Sequence, residues 1–116
     1  VSQAIRNCLA SEQGRWILGN HEAARCEFAI TALLDKKAGP KRLVLDRTFV
    51  DNGIRWIIDY KTSSHAGGDL DNFLENESRR YSKQLLEYKT ALELTESRPV
   101  KTALYFPLLD RLVEVA

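Results

Sequence analysis

Methionine is absent from this sequence and cysteine nearly so, with Cys8 and Cys26 the two thiols among 116 residues. Two cysteines are too few for a disulfide framework, and they sit in no metal-binding spacing, so both read as reduced and buried. No apolar run approaches the roughly 20 residues of a membrane span, and the N-terminus has no charged-then-apolar signal pattern, which excludes a spanning helix and makes the cytoplasm the expected compartment. Charge of one sign is also missing: 17 Lys and Arg against 16 Asp and Glu leave a net charge of +1. That balance lacks the electrostatic footprint of a chain that grips nucleic acid by itself. There is no internal repeat and no low-complexity tract. Starting at Val1 and holding no methionine, the sequence reads as a piece of a longer protein.

What is present suits one domain spanning residues 1–116, with 44% hydrophobic and 28% charged residues, enough to bury a core. Ser2 to Ala10 reads as a short helix with Ile5 and Leu9 on one face, followed by a polar and Gly-containing stretch through Gln13-Gly14. Ala24 to Leu34 reads as a first strand, ended by the turn Lys36 to Pro40. Two apolar runs flank Asp51-Asn52-Gly53, and Asn-Gly between such runs predicts a two-residue type I′ hairpin. Thr62 to Asp69 is small and polar and predicts a mobile loop. A helix is expected from Asn76, its cap, to about Leu94, stopped by Arg98-Pro99. Val100 to Phe106 and Leu112 to Val115 complete the expected strands. The fold class that follows is α/β, a small mixed sheet of four to five strands flanked by helices.

The hairpin carries the chemistry. Pairing residue 51 with 54 sets Asp46 opposite Asp59, and the alternation of side chains brings Lys61 to the same face. Phe49 with Trp56 and Leu45 with Tyr60 then share the other face, suited to packing. Directly opposed like charges destabilise a sheet, so the two carboxylates ask for a cation. A Mg²⁺ or Mn²⁺ ion held by two carboxylates keeps several waters, can activate one of them and can polarise a phosphoryl oxygen. A neighbouring ammonium stabilises charge developing on the phosphate. Phosphodiester hydrolysis is the reaction this set suits.

The residues resemble the RecB-type branch of the PD-(D/E)XK nucleases: Leu45-Asp46-Arg47, then Ile57-Ile58-Asp59-Tyr60-Lys61-Thr62-Ser63, then Tyr81 and Gln84 with Tyr88. The resemblance covers roughly Glu27 to Phe106 and implies a restriction-endonuclease-like core. It implies Asp46, Asp59 and the backbone carbonyl of Tyr60 as metal ligands and Lys61 as the catalytic lysine. Gln84 and Tyr88 would extend the site from one helical face, and Glu27 would be an accessory group. By the same resemblance the parent chain is a helicase-nuclease that processes DNA double-strand breaks for recombination, with a helicase domain, a partner subunit and DNA as its associates. The family's metal-ligating histidine on an upstream helix has no counterpart, because His21 stands too close to the first strand and His65 follows the lysine; it is expected before Val1. A fragment without that histidine is expected to keep the fold and to cut slowly or not at all.

Blander readings stand beside these. An Asp and a Lys two apart on a strand are commonly a solvated ion pair, worth at most about 1 kcal/mol. Tyr81, Leu85 and Leu92 read as core packing, as do Trp16 and Trp56, whereas Gln84 and Tyr88 are polar groups beside a buried face that need partners. Lys36, Lys37, Lys41 and Arg42 read as a solvated turn, with contact to a phosphate backbone as the alternative. A nuclease-like module that binds DNA ends or a partner subunit without cutting is the alternative function, and a plain protein-interaction domain with solvated carboxylates is a third.

Overall fold

The computed structural model describes residues 3–63 and 68–115, excluding the side chains of residues 4, 5 and 8. Its elements are α1 (Gln3–Ala10), α2 (Glu12–Leu18), β1 (Glu22–Asp35), β2 (Gly39–Asp51), β3 (Ile54–Tyr60), α3 (Leu70–Glu93), β4 (Val100–Phe106) and β5 (Arg111–Val115). The expectations for Ser2, for the side chains of Ile5 and Cys8, and for the loop segment 64–67 with His65 lie outside the described residues.

The β2–β3 turn forms as the Asn-Gly dipeptide predicts. Asn52 and Gly53 both take left-handed φ, 52° and 74°, the pair of conformations a type I′ turn requires. The ladder follows in the expected register, with Asp51 opposite Ile54, Phe49 opposite Trp56 and Arg47 opposite Ile58. The sheet is mixed and runs β1-β2-β3-β4-β5 in sequence order. β1–β2, β2–β3 and β4–β5 are antiparallel, while β3 and β4 are parallel and joined through α3. A parallel pair needs such a crossover, since no tight turn can reverse the chain twice.

Each face of the sheet buries a separate core. On one, Leu85, Tyr88, Ala91 and Leu92 of α3 pack on Leu43, Leu45, Ile57, Leu104 and Phe106. On the other, Ile17 of α2 packs on Phe49, Ile58, Ala103 and Tyr105, with Trp16 and Trp56 at its margin. Trp16 meets Phe49 and Trp56 edge-on, at ring separations of 5.1 and 5.3 Å. The two tryptophans thus pack as expected, half-buried.

Several expectations change. Gln13-Gly14, where no element was expected, belongs to α2, because Ser11 caps the helix by accepting from the Gly14 N–H at 2.8 Å and Ile17 supplies a buried anchor. α3 begins at Leu70 instead of Asn76, since Asp69 caps it through the Asn72 N–H and Leu70, Phe73 and Leu74 add an apolar first turn to the core. Leu45 leaves the face it was expected to share with Phe49 and joins the α3 side, so strict alternation in β2 breaks around Asp46. Cys26 is exposed, not buried.

Candidate active site

The break in β2 falls where β3 ends, and there the two strands part. The last β2–β3 pair is Arg47 with Ile58; one step further, the same register sets Asp46 against Asp59. A side chain holds the strands beyond that point, because the Asp46 Oδ2 accepts the Tyr60 backbone N–H at 2.9 Å. β3 is held from its other edge by β4, with the Lys61 N–H donating to the Tyr105 carbonyl at 2.9 Å. On neighbouring strands of one sheet, the two aspartates come within hydrogen-bonding reach of each other.

Arg47 anchors the opposite side of this junction. It is 7% exposed and donates to the Ile17 and Gly19 carbonyls at 2.9 Å each, and to the Cys26 Sγ at 3.2 Å. These are the carbonyls at the C-terminal end of α2, which lack helical partners and carry the negative end of its dipole. The residue after Asp46 therefore pins β2 to α2, leaving Asp46 free to face α3.

Asp59 is 5% exposed. Its carboxyl is pushed up to about 6 from 3.8, chiefly by burial; the Lys61 ammonium opposes this, and Asp46 adds to it. Lys61 Nζ lies 2.6 Å from Asp59 Oδ2 as a close ion pair, and this buried oxygen has no other donor among the described residues. One ammonium is facing two carboxyls. The site is short of positive charge, and its hard oxygen donors fit a small divalent cation that keeps part of its water shell.

α3 covers the carboxylates. Gln84 Nε2 donates to the Tyr88 hydroxyl at 2.8 Å, one turn apart. Tyr88 is 6% exposed, and its phenol is pushed above its ordinary value by burial and then by the negative charge of Asp59. It stays protonated at neutral pH and, with its oxygen accepting from Gln84, keeps its O–H to donate. Asp46, Asp59, Lys61, Gln84 and Tyr88, expected from separate segments, are gathered at one place.

Other candidates sit elsewhere. Glu27 lies on β1 in the register position facing Asp46, between the pairs Cys26–Arg47 and Phe28–Leu45, but it is exposed and takes a left-handed φ of 46°. Among the described residues no third His, Cys, Asp or Glu joins the aspartates in a metal-holding group. His21 is committed to packing on the α2 side, stacked 4.2 Å from Phe49 and bonded to the Trp16 carbonyl. Of the basic turn, Lys41 pairs with Glu87 at 2.9 Å and is otherwise exposed.

Tyr81 packs against the α3 core as expected and has a second contact that sequence reasoning did not foresee. Its ring, assigned to core packing, holds the Lys61 Nζ 3.7 Å from the centroid. The available signal was spacing, since Tyr81, Gln84 and Tyr88 recur at three and four residues and share a helical stripe. Glu77 continues that stripe and is also buried, with Arg80 at 3.9 Å.

Comparison with models of protein families and with curated proteins gives no match for this chain.

Proposed function

We propose that this domain is a Mg²⁺- or Mn²⁺-dependent deoxyribonuclease that hydrolyses DNA phosphodiesters, the nuclease module of a cytoplasmic helicase-nuclease acting in double-strand break repair and recombination. The observation that carries the reading is the convergence of two carboxyls, an ammonium and an amide–phenol pair at the point where β2 and β3 diverge. A solvated ion pair would not need the burial of Asp59, and a plain interaction surface would not need a carboxyl held near 6.

Asp46 and Asp59, with the Tyr60 carbonyl beside them, would hold the cation, which when bound supplies Lewis-acid polarisation of the phosphate and a water of lowered pKa. The protein's own groups do the remaining work. The Lys61 ammonium stabilises negative charge gathering on the phosphoryl oxygens. Tyr88 and Gln84 donate from the other side and hold the phosphodiester against the carboxylates, so the helix fixes the angle at which the backbone is presented. Near-neutral net charge fits a domain to which DNA is delivered by other parts of a larger assembly.

The test joins calorimetry and cleavage. Mn²⁺ titrated into the domain should bind to the wild type and to Lys61→Ala, and should fail to bind Asp59→Ala. Cleavage of linear DNA by the full-length parent should fall by at least about 100-fold in Lys61→Ala, the scale of removing one preorganised charge-stabilising group. Undiminished cleavage by that variant refutes the reading. No Mn²⁺ binding by the wild type would favour the non-cutting module that binds DNA ends or a partner subunit, a reading supported by the absence of a third ligand among the described residues.

A further inference from the structure

The Lys61 ammonium has two neighbours that treat its charge differently. Asp59 Oδ2 is 2.6 Å away and neutralises it; the Tyr81 ring centroid is 3.7 Å away and cannot, because an aromatic face attracts a cation through its quadrupole while carrying no net charge. This difference matters for a lysine that must act on a phosphate. An ammonium committed to a carboxylate has little field left for a substrate, whereas one resting on a ring keeps its full charge.

The lysine side chain also needs a fixed rest. Four rotatable bonds leave the ammonium many rotamers to lose, and the Asp59 carboxylate is a poor permanent tether, since a cation bound between Asp46 and Asp59 competes for the same oxygen. The ring does not compete with that cation. It stands on α3, the 24-residue helix that also presents Gln84 and Tyr88, and it is one helical turn from each neighbour in the stripe that faces the carboxylates. A second cation, the Arg80 guanidinium, lies 5.2 Å from the same ring, and the buried Glu77 balances it from one turn earlier.

We infer that Tyr81 is the positioning residue of Lys61: its ring face holds the ammonium in place, with its charge undiminished, when Asp59 is engaged elsewhere. What the ammonium then acts on rests on the nuclease reading; where it sits does not. The bland account of Tyr81, apolar packing at the margin of the α3 core, makes a different prediction, because a leucine would satisfy packing and would offer no ring.

Tyr81→Phe and Tyr81→Leu separate the two. In the NMR spectrum of the wild type, the Lys61 ε-methylene protons should lie upfield of ordinary lysine positions through the ring current. The Phe variant should keep that displacement and the Leu variant should lose it, with Mn²⁺ affinity unchanged within about twofold in both. Turnover with Mg²⁺ should fall roughly tenfold in Tyr81→Leu, the scale of one partly desolvated cation–π contact, and stay within about twofold in Tyr81→Phe. In a Lys61→Ala background the Leu substitution should add no further loss. Lys61 resonances that are unmoved in the Leu variant, or a Phe variant as impaired as Leu, would overturn the inference. Absence of cleavage by the wild type would count against the nuclease reading alone, and the NMR comparison would still uphold or overturn the role of the ring.

Discussion

Replacing Asp59 by asparagine should make the metal-free domain more stable at neutral pH, although it removes an ion pair. Asn has the shape of the protonated carboxyl and cannot ionise. In the native site the carboxyl titrates near 6, against 3.8 for an ordinary aspartate, with burial the largest cause. A group whose folded value is raised contributes stability that is fully present below the unfolded value and is lost as pH rises through the folded one. The wild type therefore loses stability between about pH 4 and pH 6 through this group, and at about 1.36 kcal/mol per pH unit the loss amounts to roughly 3 kcal/mol. Asp59→Asn skips that loss. With urea slopes of about 1–3 kcal/mol/M for a small domain, its unfolding midpoint should exceed the wild-type value by about 1–3 M at pH 7.5. Near pH 4 the two should nearly coincide. The assay is urea unfolding followed by tryptophan fluorescence in chelator at both pH values, with Trp16 and Trp56 at the margin of one core as reporters. A variant no more stable than the wild type at pH 7.5 would show that the Lys61 pair outweighs the burial of the carboxylate. Mn²⁺ at about 1,000 times its Kd should reverse the order, adding about 4.1 kcal/mol to the wild type and nothing to the variant.

Arg47→Met should destabilise the fold by about 2–4 kcal/mol, since it strands the Ile17 and Gly19 carbonyls at the end of α2; chemical denaturation measures it, and a loss below about 0.5 kcal/mol would contradict the anchoring role. Asp69→Ala should cost about 1 kcal/mol through loss of the α3 cap, and hydrogen exchange should show the added opening confined to the first turns of α3. The Lys61 and Tyr81 variants described above complete the set, with Lys61→Ala separating cleavage from metal binding and Tyr81→Leu against Tyr81→Phe separating a ring face from apolar bulk.

Local rules made the hairpin legible. Asn52-Gly53 can supply two consecutive left-handed residues, and once the turn is two residues long the register is forced as far as Arg47 opposite Ile58, one step short of Asp46 and Asp59. Helical spacing likewise placed Gln84 and Tyr88 one turn apart, where they bond. Capping was harder to read. Ser11 and Asp69 each cap a helix, although the sequence pointed to Asn76 as the start of α3; the apolar first turn of Leu70, Phe73 and Leu74 extends the helix back to Asp69 by finding a core to enter.

The sequence by itself determined the turn, the register across it and the helical stripe, because each depends on contacts within one short segment. Only the tertiary structure decided that α3 lies over the Asp59 face of the sheet and α2 over the other, since both helices offer apolar stripes and nothing local says which face each will cover. That choice brings the Tyr81 ring onto Lys61, takes Leu45 away from the face of Phe49, and buries Asp59 deeply enough to hold its proton near pH 6. Burial is a property of everything packed around a group, so the same Asp-x-Lys run on an uncovered strand would be a solvated ion pair.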